Sequence, residues 1–170
     1  MKRSLLLGCG NSRDKKVHIV GEPDWIGELT TIDMDPNCGA DVIWDLDQRP
    51  LPFPNDTFDE LGAFDVLEHQ GKQGDWRGWF DEMAEYWRIL KPGGLFFIVV
   101  PIGEDRFADP GHTRFIGRNH FGFLNQENYR LNIEANRPMT DYRWYWKRNF
   151  DICSLEDESG HHMSVVLKKA

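Results

Sequence analysis

The chain has 170 residues, 40% of them hydrophobic and seven of them Trp, with 20 Lys or Arg against 28 Asp or Glu for a formal charge of −8. These values fit one domain with a full core, and argue against disorder and against a protein that coats nucleic acid. No apolar run approaches the roughly 20 residues that cross a bilayer, and Cys9, Cys38 and Cys153, odd in number and scattered, suit reduced thiols in the cytoplasm better than a disulfide framework.

Leu5–Leu7 reads as a first core strand rather than a signal peptide, because the polar turn Gly8-Cys9-Gly10 follows at once. Gly8 to Lys16 is a loop, and Val17–Val20 is a small strand or part of that loop. Leu29–Met34 is a second strand ended by Asp35-Pro36, Ala40–Trp44 a third, and Glu60–Phe64 a fourth. Between the last two lies a loop whose Pro50-Leu51-Pro52-Phe53-Pro54 is a rigid structural turn.

Trp76, Trp79, Phe80, Met83, Ala84, Trp87 and Leu90 recur at helical spacing, which predicts a helix over 75–90 with its Trp stripe in the core. Lys91-Pro92-Gly93-Gly94 is its expected glycine-capped stop. Leu95–Pro101 is an unbroken apolar run, suited to the centre of a parallel sheet covered on both faces. Residues 102–148 are irregular and aromatic, with eight Lys or Arg against six Asp or Glu and one helix near Gln126–Ala135. Asn149–Leu155 and His162–Lys168 read as a terminal hairpin.

This order predicts a single α/β domain, 1–170: a mostly parallel twisted sheet, an antiparallel C-terminal hairpin, and 102–148 as a cover over the substrate. Ligands of such sheets sit at the carboxyl ends of strands near the topological switch point. That rule points to Gly8–Gly10, Asp33–Asp35, Asp45 and Phe64–His69. A dinucleotide fingerprint fails at Arg13, where its third glycine belongs, and no good helix follows to hold a pyrophosphate. A nucleoside ligand without phosphate meets neither objection.

LLLGCGNS, TIDMDP, DL…LPFPNDTFDEL, DVLEH and EYWRILKPGGLFFIVVP stand in this order between Leu5 and Pro101. Together they resemble the class I S-adenosylmethionine-dependent methyltransferases, most of all the methyltransferase type 11 group. Beyond Ile102 only DPGHTRF is similar to a segment of some members. The chain departs from the group after Gly10, where Ser12 replaces the usual third glycine and KKVHIVGEPDWIGEL replaces or shortens the first helix.

The resemblance implies a Rossmann-like fold, S-adenosylmethionine as cofactor and methyl transfer to a small-molecule acceptor. Gly8, Cys9 and Gly10 would pass close to the cofactor's amino-acid part, where a side chain would collide. Asp33, with Met34 beside it, matches the acid that accepts the ribose hydroxyls, a charge-assisted bidentate contact, while Asp35 is a turn former. Asp45 would take the adenine amino group and the Leu46 amide a ring nitrogen, with Asp47 as the competitor. The backbone at Phe64 and Asp65 would receive the cofactor's ammonium.

His69 and, in the DPGHTRF segment, His112 are the candidate catalytic bases, since an ordinary imidazole titrates near neutrality. Glu68–His69 as a loop-orienting pair is the competing reading. Arg106, Arg114, Arg118 and Arg143 among aromatics suit a planar or anionic acceptor, or else the aromatics form a satellite core and the arginines face solvent. No metal site is expected, because Glu68–His69 has no further ligands at usable spacing in the sequence. Two other functions stay open: a degenerate module that binds cofactor or partner without turnover, and a nucleotide-dependent oxidoreductase. A nucleic-acid methyltransferase is disfavoured by the acidic charge and by the lack of an Asn-Pro-Pro-Tyr-like motif.

Overall fold

The computed structural model describes residues 1–18 and 24–170. Seven strands, β1 (Arg3–Leu7), β2 (Glu28–Asp33), β3 (Val42–Ile43), β4 (Phe58–Phe64), β5 (Leu90–Pro101), β6 (Phe150–Glu158) and β7 (His162–Lys169), form one sheet. Their order is β3-β2-β1-β4-β5-β7-β6. Strands β1 to β5 pair in parallel, and β7 runs antiparallel to both β5 and β6. The chain winds outward from β1 through β2 to β3, then returns to lay β4 on the other side of β1. The β1/β4 boundary is therefore the switch point, where a crevice opens beyond the strand ends.

Three helices accompany the sheet: α1 (Trp76–Ile89), α2 (Arg118–Gly122) and α3 (Gln126–Glu134). Helix α1 begins where the Asp75 carboxylate accepts the Gly78 N–H at 3.0 Å, satisfying one orphan donor of the first turn. Of the stripe that the spacing predicts, Trp79, Phe80 and Met83 are buried and Trp76, Ala84 and Trp87 half-buried, while Tyr86 and Ile89 complete the buried face and Leu90 already belongs to β5. Glu85 and Arg88 on the same helix tie down the proline-rich loop. Glu85 Oε1 accepts the Leu51 N–H, and Arg88 donates to the carbonyls of Leu51 and Phe53.

Several expectations need correction. The segment Lys91–Gly94 is not a glycine cap. The chain passes straight from Ile89 into β5, and the ladder jumps from Phe58↔Leu90 to Glu60↔Leu95, so those four residues bulge from the strand. Val17 lies outside any strand, and the rest of the proposed small strand, Ile19 and Val20, lies outside the described residues. The third strand shrinks to Val42–Ile43. The hairpin is longer than expected, since β6 continues through Glu158 and turns at 159–161.

The two faces of the sheet are covered differently. One carries Leu5, Leu7, Leu61, Ala63, Phe96, Ile98 and Val100 against α1 and against Phe121, Leu124 and Trp146 of the 102–148 region. The aromatics of that region thus extend the main core. The other face carries a smaller cluster around Leu6, Phe64, Phe97, Val99 and Val166. Among the described residues no helix lies between β1 and β2; an irregular segment covers the face instead.

Lys15 and Trp25 anchor that segment on the sheet face. Lys15 Nζ is 2.9 Å from Glu60 Oε1, with both side chains 1% exposed, and it sits 4.2 Å from the Phe97 ring centroid. The other oxygen of Glu60 accepts from Ser4 Oγ and the Ile26 N–H, so the carboxylate is fully satisfied. Trp25 lies on β4 at Gly62, where a Cβ would come within 2.5 Å of the indole. Its Nε1 donates to the Arg13 carbonyl at 2.8 Å.

Candidate functional site

At the switch point the chain leaves β1 through Gly8 and Gly10, both with positive φ (56° and 47°). A Cβ on Gly8 would meet Val66 at 2.6 Å, whereas a Cβ on Gly10 would meet nothing within 4 Å. Gly8 is thus fixed by packing and Gly10 borders open space. That space is a cavity of about 450 Å³ walled by Gly8, Gly10, Asp33, Met34, Asp45 and Leu46 on one side and by Asp65, Val66, His69 and Gln70 on the other. Trp44 and Asp47 complete it.

Asp33, at the end of β2, is held from both sides. Its Oδ2 accepts the Gly10 N–H at 2.8 Å and its Oδ1 the Asp35 N–H at 2.9 Å. Each oxygen keeps a lone pair for a further donor. Asp45 and Asp47 both reach the cavity. Asp45 accepts the Asp47 N–H at 2.9 Å, and Asp47 the Gly71 N–H at 3.3 Å. Asp65 stands at φ 57°, a left-handed conformation uncommon outside glycine. Its carboxylate pairs with Lys16 at 2.6 Å and with His162 at 3.3 Å.

Of the residues expected at the cofactor, Gly8, Gly10, Asp33, Met34, Asp45, Leu46 and Asp65 converge on this cavity. The side chains of Cys9 and Phe64 do not: both pack in the smaller core cluster on the far face. Cys9 lies beside Cys38, and their sulfurs are within 4.8 Å of each other and of an Asp33 oxygen. Burial pushes the Cys9 thiol up from its ordinary value. Sequence reasoning missed Trp44 and Gln70. Their signal was only that they flank the DL and DVLEH segments.

Beyond the cavity, Leu67–His69 forms a single 3-10 turn. The DPGHTRF segment is fastened to it. The Thr113 N–H and hydroxyl both donate to the Glu68 carbonyl (2.9 and 3.2 Å), and Arg114 Nε donates to the Leu67 carbonyl at 2.8 Å. Arg114 also pairs with the buried Glu82 of α1 at 2.6 Å. Arg114 is therefore a buried anchor of this segment and does not face solvent. Arg143 is spent on Asp141, and Arg106 lies over the Phe107 and Phe115 rings.

This fastening brings His112 against His69, with ring centroids 4.7 Å apart and the planes edge-to-face. His69 Nδ1 contacts the Gly111 carbonyl at 3.2 Å and His112 Nδ1 the Arg106 carbonyl at 3.0 Å. A carbonyl only accepts, so each Nδ1 carries a proton, which makes each Nε2 the nitrogen that holds a lone pair in the neutral ring. His112 Nε2 is 3.8 Å from Glu68 Oε1, and neither oxygen of the buried Glu68 has a hydrogen-bond partner among the described residues. Burial pushes the Glu68 carboxyl up to about 7.

The cavity wall carries four Asp and no Lys or Arg. Such a wall repels phosphate and favours a ligand with positive charge and hydroxyl donors. Comparison with known proteins agrees with that chemistry. No protein-family model matches the chain. A probable S-adenosylmethionine-dependent methyltransferase of Mycolicibacterium smegmatis is 33% identical over 70 residues, which covers 38% of this chain and 25% of that protein. The chain thus matches a quarter of the length of this curated relative. The solved SAM-dependent methyltransferase of Archaeoglobus fulgidus superposes with a TM-score of 0.57 at 14% identity, covering 99% of this chain and 86% of that one. The [4+2]-cyclase SpnF superposes with a TM-score of 0.55 at 15% identity, covering 99% and 74%. The fold is that of the class I methyltransferases.

Proposed function

We propose that this chain, which has the fold of the class I S-adenosylmethionine-dependent methyltransferases, binds S-adenosylmethionine in the switch-point cavity and transfers its methyl group to a small-molecule acceptor. One observation carries the reading: Gly8, Gly10, Asp33 and Asp45, from three different loops, wall a single phosphate-repelling cavity. The residues present suit this cofactor. Asp33 retains lone pairs for the ribose hydroxyls, and the space beside Gly10 admits the amino-acid tail. Trp44, Met34 and Leu46 supply apolar surface for the base, with Asp45 or Asp47 to accept from its amino group. The backbone at Phe64 and Asp65 remains the proposed acceptor for the ammonium.

When bound, this cofactor supplies a methyl on a positively charged sulfur, whose transfer breaks the C–S bond, forms a bond to the acceptor's heteroatom, and releases S-adenosylhomocysteine and a proton. The protein's own contribution is alignment and exclusion of water, the terms that dominate when the leaving group is already activated. His69, on the cavity wall, and His112, edge-on to it, are the groups with lone pairs toward the acceptor side.

Calorimetric titration with S-adenosylhomocysteine tests the reading. Tight binding is expected, and Asp33→Ala should weaken it by about 1.5–3 kcal/mol, the range for hydrogen bonds to a charged group. Unchanged affinity in that variant removes Asp33 from the site. NAD raising the melting temperature where S-adenosylhomocysteine does not would favour the oxidoreductase instead. Binding without methyl transfer across a broad acceptor panel would favour the non-catalytic module.

A further inference from the structure

We propose that Glu68, His69 and His112 form a divalent-cation site at the acceptor side of the cavity. The ligand atoms of the three residues all lie within 4.8 Å of one another. Glu68 is the second, independent observation. Its side chain is 2% exposed, and both of its oxygens lack a partner. A carboxylate buried in this way is costly in its charged form unless a cation or donor meets it.

The neighbouring cation does not serve. Arg114 passes close by but spends Nε on the Leu67 carbonyl and Nη2 on Glu82, and it makes no hydrogen bond to Glu68. What faces Glu68 is the Nε2 of His112 at 3.8 Å, beyond hydrogen-bond distance. A cation between the two would be met by both.

The orientation of the imidazoles fits the same role. Metal-bound histidines usually donate their other ring N–H to a carbonyl or carboxylate, which fixes tautomer and ring direction. His69 and His112 both do so, to Gly111 and Arg106. Thr113 and Arg114 lock the segment in place, so the cluster is built before any cation arrives. Bonds of about 2.0–2.2 Å to nitrogen and oxygen put tetrahedral ligand atoms roughly 3.3–3.6 Å apart, so the cluster would contract on binding. Two imidazoles and one carboxylate suit Zn²⁺, Co²⁺ or Fe²⁺ better than Mg²⁺ or Ca²⁺, which prefer all-oxygen shells.

Three protein ligands leave coordination positions for an exogenous oxygen. Since His69 also lines the cavity, the class of acceptor that this site would hold is one that offers a hydroxyl oxygen. That last clause rests on the methyl-transfer reading; the cation site does not. On this account the two imidazoles are ligands rather than free bases.

Titrating chelator-stripped protein with Co²⁺, followed by visible absorption and calorimetry, tests the site. One equivalent should bind with d–d bands in the visible. His112→Ala and the near-isosteric Glu68→Gln should each weaken affinity at least tenfold, and exposed His161→Ala should not. Equal affinity in all variants, or no binding by the wild type, overturns the proposal. So does binding that survives His112→Ala but is lost in Cys38→Ser, which would move the cation to Cys9, Asp33 and Cys38. Parallel titration with S-adenosylhomocysteine separates the two claims. Cation binding with the expected mutational pattern supports the site even where the nucleoside fails to bind, which would instead overturn the function proposed above. Nucleoside binding without cation binding overturns the site alone.

Discussion

The two faces of the sheet solve the same problem by different means. On one, α1 and the 102–148 region bury a broad apolar layer, and a helix stripe supplies most of the contact. On the other, a segment with no helix or strand among its described residues covers a smaller cluster. It does so with a buried Lys15–Glu60 pair and a tryptophan seated on a glycine. A sheet face does not need a helix when one fully satisfied ion pair and one aromatic plate fix the covering loop. Each of these anchors should therefore matter.

That contrast can be broken most sharply at Lys15. Lys15→Met leaves Glu60 buried without its cation and should cost about 3–5 kcal/mol in urea denaturation, whereas Lys15→Met with Glu60→Met should recover most of it. A neutral single variant would mean that the ion pair does not hold the loop. Gly62→Ala comes next, at about 1–3 kcal/mol, because the new methyl displaces Trp25. Its signature should be faster tryptic cleavage at Arg13, Lys15 and Lys16 and a changed tryptophan emission ahead of global unfolding. On the helical face, Asp75→Ala removes the α1 cap and should cost about 1 kcal/mol. Proteolysis of the loop should stay the same, and a change there would show that the two faces are not independent.

The contrast also explains what was legible in the sequence. Leu5–Leu7, Leu95–Pro101 and the Trp-rich helix are local periodic patterns, and the structure bears out the sheet, the helix and the hairpin. The irregular cover had no local signature. Lys15 meets Glu60 and Trp25 meets Gly62 only after β1 and β4 pair, and a Lys in a polar loop reads as solvated. The end of α1 was misread because Pro-Gly-Gly marks a cap and a bulge equally well.

The site divides in the same way. Gly8, Gly10, Asp33 and Asp45 follow strand ends, where the sheet rule already looks. Arg114 was invisible as an anchor because its partner Glu82 sits on another element, mid-helix, where acids normally face water. For the same reason the sequence offered Glu68–His69 no further ligand: His112 arrives only through the fastening of its segment.

The clasp of Thr113 and Arg114 onto the Leu67–His69 turn has a last consequence, for evolvability. It roots the cover to the scaffold through main-chain carbonyls and one buried carboxylate, without using any residue between Phe115 and Arg148. Beyond Arg114, Ile116, Phe121, Leu124 and Trp146 are fixed in the main core, so it is the exposed turns between these points that are free to change length while the clasped rim beneath keeps its shape.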